Sequence, residues 1–146
     1  MTRSTPTLIL VAALAASQFP AAAPAATPAE AAVHSPPARV ELVVGSNLRQ
    51  ITLSDRAAKR INIKVEEVRQ DGSGQTIVPY SAVLYDLTGA TWVYTNPTPL
   101  TFIRHLVTIA RINGTTMYLT SGPPVGMQVV TVGVPQLHGA ERGVGH

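Results

Sequence analysis

Asn113-Gly114 lies between two β-branched runs and predicts a β-hairpin, because that dipeptide supplies the positive φ angles demanded by the tightest two-residue connection. The run before it, Leu100 to Ile112, carries Thr101, Ile103, Val107, Thr108, Ile109 and Ile112; the return strand is Thr116 to Leu119. Similar punctuation recurs along the chain. Asp86-Leu87-Thr88-Gly89 separates Ala82-Val83-Leu84-Tyr85 from Thr91-Trp92-Val93-Tyr94-Thr95, with Asp opening and Gly closing a type I turn. Asn96-Pro97-Thr98-Pro99 reads as the stop of that strand, and Ser121-Gly122-Pro123-Pro124-Val125-Gly126 as the turn before a final strand from Gln128 to Val134.

The earlier part obeys the same grammar with one exception. Arg39 to Val44 is a strand candidate ended by Gly45-Ser46-Asn47, and Arg49 to Leu53 a second extended piece. Ser54 then has the chemistry of an N-cap, with Asp55 placed against the positive end of a helix dipole. Asp55 to Ile61 predicts a short helix with Ala57, Ala58 and Ile61 on one face, stopped at Asn62. Ile63, Val65 and Val68 alternate with charged residues, as in a strand with one wet face, and Thr76-Ile77-Val78 resumes after the break at Asp71-Gly72-Ser73-Gly74. Together the segments predict a mainly β domain, a small antiparallel sandwich or barrel with one short helix.

Not all 146 residues are available for that core. Arg3, the apolar run Leu8 to Ala16 and the small residues Ala23 and Ala25 have the order of a secretory signal cleaved after Ala25. Nine apolar residues are too few for a membrane span of ~20. Residues 26–38 form an Ala/Pro-rich linker in which repeated prolines forbid a continuous helix. The expected β domain occupies 39–138, and 139–146 reads as a Gly-rich flexible tail. The absence of cysteine removes disulfides, thiol catalysis, thiolate metal sites and a lipid anchor, so an exported protein without a lipid anchor is expected. Once Arg3 leaves with the signal, ten basic residues face eight acidic ones without any Lys/Arg cluster. No nucleic-acid footprint follows from that balance.

Little chemistry shows in the motifs, and the expectation is a protein that is not an enzyme, with no catalytic, cofactor or metal residue to name. His105, His138 and His146 fall at no metal-motif spacing, and His34 lies in the linker. Met117 and Met127 with a histidine would suit a soft metal ion, although methionines in a β domain are usually core filler. Glu66 and Glu67 are adjacent, so on a strand they point to opposite faces and make a poor acid/base pair. Asn113-Gly114-Thr115 fits a glycosylation acceptor, but the hairpin accounts for the same residues. Tyr80, Tyr85, Trp92, Tyr94, Phe102 and Tyr118 fit cross-strand packing better than a binding face.

Four stretches, in order, resemble the periplasmic adaptor subunits (membrane fusion proteins, haemolysin-D-like) of RND-type heavy-metal efflux systems. Ile51-Thr52-Leu53-Ser54-Asp55-Arg56-Ala57-Ala58-Lys59-Arg60-Ile61-Asn62-Ile63 is similar to the opening of the mature adaptors. Val78-Pro79-Tyr80-Ser81-Ala82-Val83-Leu84-Tyr85-Asp86, with Gly89 and Thr91-Trp92-Val93-Tyr94, resembles the entry to their membrane-proximal domain. Thr120-Ser121-Gly122, Gly126 and Val129-Val130 are similar to their late turn and closing strand, and His138-Gly139-Ala140-Glu141 with Gly143-Val144-Gly145-His146 to tails of the heavy-metal branch. Between the two matching regions full adaptors carry a helical hairpin, a lipoyl-like domain and a β-barrel domain. Here only Arg69 to Gln75 separates Val68 from Thr76.

An adaptor chain runs out and back, so joining its two stumps with a short loop costs little entropy and leaves the membrane-proximal domain to fold. The resemblance implies a non-enzymatic exported accessory domain that docks on an inner-membrane efflux transporter or on a full-length adaptor. The other reading left by the residues is a free periplasmic protein that binds a metal ion or small ligand.

Overall fold

Residues 64–70 run as a single extended path through the computed structural model, which describes residues 36–143. The signal (1–25), His34, His146 and all but the last three linker residues lie outside the described residues. That path comprises β3 (Lys64–Glu67) and β4 (Arg69–Gln70), separated by Val68 alone. β3 pairs with β10 (Gln128–Val132) and β4 with β5 (Thr76–Pro79). At the kink the N–H of Val68 donates to the Met127 carbonyl at 2.8 Å, and its carbonyl accepts from Gly126 N–H at 2.9 Å.

With β7 (Thr91–Thr98), β8 (Thr101–Asn113) and β9 (Thr116–Ser121), the strand order is β3-β10-β7-β8-β9-β5-β4. The order begins and ends on the same stretch of chain, so the antiparallel sheet curls into a nearly closed barrel. The seam between β10 and β7 rests on one register pair, Val129 with Thr95. β6 (Val83–Tyr85) extends β7 on the same edge, and β1 (Ala38–Leu42) pairs with β2 (Arg49–Leu53), which joins β8. The fold is therefore mainly β, antiparallel and barrel-like, as the turn pattern predicts.

β8 takes part in three pairings because it bends. Its first residues lie between β2 and β7, and from Thr108 to Asn113 it pairs with β9 through register shifts on either side of Ile109 that leave Ala110 without a register partner. Such bulges increase local twist and let one strand turn a barrel corner. The expected hairpin forms, but Asn113 ends β8 and pairs with Thr116, so the two connecting residues are Gly114, at φ +58°, and Thr115 rather than Asn113 and Gly114. Ser54 caps α1 (Asp55–Arg60) by accepting from Ala57 N–H at 3.3 Å, and Asn62 at φ +52° ends the turn that follows.

Alternation along β7 and β10 sends side chains into two separate apolar clusters. Val93 and Val129 join Val68, Val78, Val107, Met117 and Leu119 inside the barrel. Their neighbours Tyr94 and Val130 point to the other face, where they meet Ile51, Leu53, Phe102, Val134 and Leu137. The period of two thus builds a core on both sides of one sheet.

Two expectations need correction. β7 does not stop at Asn96 but continues to Thr98. Pro97 is accommodated because the register with β8 is interrupted between Thr95 and Thr98, and Asn96 Nδ2 donates to the carbonyls of Thr98 and Thr101. The tight bend then falls at Leu100, at φ +62°.

The C-terminal end departs further. The last strand closes at Val132 rather than Val134, and α2 (Val134–Arg142) occupies residues expected to end a strand and enter a flexible tail. Gly133, at φ +97°, makes the corner. Pro135 suits the first helical turn, where its missing N–H costs nothing. Val134 and Leu137 are buried against the sheet, a contribution of roughly 1.5–3 kcal/mol each. That packing outweighs the poor helix propensity of Gly139, which costs about 1 kcal/mol relative to alanine.

Candidate functional site

A connected polar arrangement lies where α2, packed against β1, β2 and β6, sends a side chain onto residues of β7 and β8. Trp92 and Tyr94 project from the same face of β7. In register on β8 stand Leu106 opposite Trp92 and Arg104 opposite Tyr94. Diagonal neighbours two residues apart on paired strands are within reach of long side chains. Arg104 accordingly stacks over the Trp92 indole, its Cζ 4.7 Å from the ring centroid.

Indole Nε1 of Trp92 donates to Oδ2 of Asp86 at 3.0 Å. Asp86 also accepts through Oδ1 from the N–H and hydroxyl of Thr88 and from Ala90 N–H. The Thr88 hydroxyl and then the Trp92 indole hold its carboxyl down at about 2, well below the ordinary 3.8.

Into the other end of this row α2 delivers Glu141, whose side chain is buried. Tyr94 Oη donates to its Oε2 at 2.7 Å, and Arg104 Nε lies 2.9 Å from its Oε1. That second contact is an ion pair with poor alignment, since Nε–H has no well-directed acceptor. A guanidinium nitrogen of Arg49 donates to the backbone carbonyl of Glu141 at 2.8 Å, satisfying one of the free carbonyls at the helix end. Burial, reinforced by the Glu141 carboxylate, pushes the Tyr94 phenol far above its ordinary range, so it stays protonated.

Asn47, Arg49, Arg104, Glu141 and Arg142 line an open cleft of about 370 Å³ beside this cluster. The cluster's polar side chains are engaged with one another. Both oxygens of Glu141 are engaged, and Arg104 is neutralised by it. Arg49 is committed to a carbonyl, and Tyr94 is a donor that keeps its proton. Among the described residues lining this cleft no nucleophile stands next to a free base. The cluster fixes α2 to the sheet and sets the shape of this surface.

The residues weighed from sequence do not converge. Met117 is fully buried inside the barrel, where it packs with Val78 and Leu119. Met127 sits at the Val68 kink, and His105 is on β8 opposite Val93. His138 is half-buried on α2 rather than solvated in a tail, and its Nδ1 has no hydrogen-bond partner among the described residues. Among the described residues no three His, Cys, Asp or Glu side chains come together.

Glu66 and Glu67 are exposed on β3 and line a shallow cleft with Arg69, Tyr80 and Thr115. Tyr94 and Phe102 are core residues, Tyr80 and Tyr85 are about half exposed, and Tyr118 lies under Arg111 at 3.4 Å. The aromatic residues thus occupy several surfaces instead of one binding face. Sequence reasoning missed Glu141 and Arg104; the only hint was a carboxylate four residues after Leu137, on the apolar face of the helix.

Comparison with family models, with curated proteins and with solved structures finds no match to this chain. Among the described residues no helix is long and apolar enough to cross a membrane.

Proposed function

We propose that this protein is a non-enzymatic, exported accessory domain of an RND-type, metal-cation efflux system. It docks in the periplasm on the inner-membrane transporter or on a full-length adaptor. One observation supports the reading above the others: the stretches that resemble the two ends of an adaptor interleave in one body. β2 lies against β8, β3 against β10, and β4 against β5. The connection between the two stretches is the turn at 71–75. There Asp71 Oδ1 accepts from the N–H groups of Ser73 and Gln75 at 2.9 Å each. A domain whose middle has been replaced by such a turn keeps its own core and gives up the parts that would extend away from it.

Co-purification is the test. The tagged protein is recovered from detergent-solubilised membranes that contain an RND metal transporter and its adaptor, alongside an unrelated exported β domain of similar size. Enrichment of the transporter or the adaptor over that control is the expected result. Equal recovery in the two samples overturns the reading. The competing free-ligand reading predicts instead that titration with Cu(I), Ag(I) or Zn(II) shows saturable binding lost in Met127→Leu and His105→Ala.

A further inference from the structure

Among the described residues β1 leaves a strand edge open, and its sequence is self-complementary about its own centre. The Pro37 carbonyl accepts from Ser54 N–H at 3.0 Å, and Val43 N–H donates to the Leu48 carbonyl at 2.9 Å. Both hydrogen bonds run toward β2, so the odd-numbered residues of this strand spend their backbone groups on that neighbour. By the alternation of an antiparallel ladder, the N–H and C=O of Ala38, Val40 and Leu42 point the other way. Among the described residues β1 pairs with β2 alone. None of the three is proline, so each can donate as well as accept.

We propose that this edge pairs with the same edge of a second copy, antiparallel and centred on Val40, to form a two-fold dimer. The register follows from the sequence Ala38-Arg39-Val40-Glu41-Leu42. With Val40 opposite the partner's Val40, Ala38 falls opposite the partner's Leu42, and both are hydrogen-bonded pairs. Arg39 falls opposite the partner's Glu41 at a non-hydrogen-bonded position, where the Cα atoms approach to about 4.5 Å and side chains lie closest. Two-fold symmetry repeats that ion pair on the other side of the axis.

Charges on an edge strand commonly prevent pairing, and like charges would do so here. Arg39 and Glu41 have opposite signs and sit symmetrically about Val40, so they select one register instead. In isolation they share only a 4.0 Å contact between side chains that are 69% and 59% exposed. The apolar residues fit the same arrangement. Leu42 is 69% exposed and Val44 fully so. In this register Leu42 lies over the partner's Ala38. The inference stands independently of the efflux reading, since it uses nothing beyond the edge and its side chains.

Sedimentation velocity of the purified protein from about 1 to about 200 μM tests it, a window suited to an interface below ~1,200 Å². The expected result is a concentration-dependent shift from one to two copies. Arg39→Glu and Glu41→Arg should each raise the dimer dissociation constant about tenfold, because each places like charges opposite one another twice in the dimer. The double variant R39E/E41R restores opposite charges across the axis and should return the constant to within about threefold of the original. Both side chains are exposed, so circular dichroism should show an unchanged fold in all three variants. A protein that stays monomeric throughout overturns the proposal. So does a dimer indifferent to the single substitutions, or a double variant as weak as either single one.

Discussion

The Tyr94 hydroxyl donates a 2.7 Å hydrogen bond to Glu141 Oε2, joining the middle of β7 to a helix 47 residues further along the chain. The same carboxylate faces Arg104 on β8. One buried acid on α2 therefore ties together two neighbouring strands, and the apolar contacts of Val134 and Leu137 finish the helix's attachment. A buried carboxylate is costly unless its partners are in place, so α2 is held in one position rather than merely resting on the sheet.

Glu141→Ala should lower stability by about 2–3 kcal/mol, read as a shift of the urea midpoint with an unchanged slope. The loss comes from leaving the Tyr94 hydroxyl and the Arg104 guanidinium without their acceptor. Part of the penalty is relieved because the Arg104 side chain remains 20% exposed to water. Replacing both members of the pair, in Glu141→Leu with Arg104→Met, should be less damaging than the single alanine.

Tyr94 makes the fold sensitive to alkali. Its folded pKa is raised above the 10.0 of an unfolded phenol, chiefly by burial and then by Glu141. The folded state therefore holds the proton longer than the unfolded one. The associated stability is complete below pH 10.0 and is lost as pH rises beyond it. Thermal melts in steps above neutrality should show the midpoint falling from about pH 10 upward. In Tyr94→Phe that decline should be shallower, from a starting point lowered by about 1–2 kcal/mol.

Asp86 gives the opposite dependence. Its folded pKa is about 2 against 3.8 unfolded, so its contribution is present above 3.8 and disappears as pH falls through about 2. Asp86→Asn should flatten the acid limb of the stability profile across that interval. It should also loosen the Asp86–Ala90 turn, seen as faster exchange of the Thr88 and Ala90 amide protons. The wild-type acid limb persisting in the variant would contradict the assignment.

Gly133→Ala should destabilise by more than the ~1–2 kcal/mol typical of a side chain forced into the left-handed region. A Cβ there would stand 2.5 Å from Ile63 Cδ1 as well as adopting φ +97°. Ile63→Val deletes that atom. In a double-mutant cycle the pair should therefore be less damaging than the sum of the two single variants, with the residual cost reporting backbone strain alone. Additive energies would show that the corner relaxes away from Ile63.

Most of the barrel was legible because its signals are local. The hairpin at Gly114, the Asp86 to Gly89 turn and Ser54 before Asp55 each act through a few neighbouring backbone groups, and all three form, the hairpin shifted by one residue onto Gly114 and Thr115. β2 matches its expected span, and the alternation of Val65 and its neighbours survives in β3. Pro97 was misleading. A proline normally ends a ladder, but here Asn96 fills the missing bonds from the side.

The sequence alone determined that the chain is a succession of antiparallel strands with one capped helix among them, since period-two alternation and turn chemistry need no distant partner. It did not determine α2, whose residues include Gly139 and an acid on the buried face. Only the tertiary structure decided that helix, by bringing Tyr94 and Arg104 to the place where a carboxylate could be buried with its bonds made. The closure of the barrel through Val68 and the open edge of β1 were settled at the same level. Which strand edges meet depends on how the whole sheet curls, and that curl is a property of all the strands together.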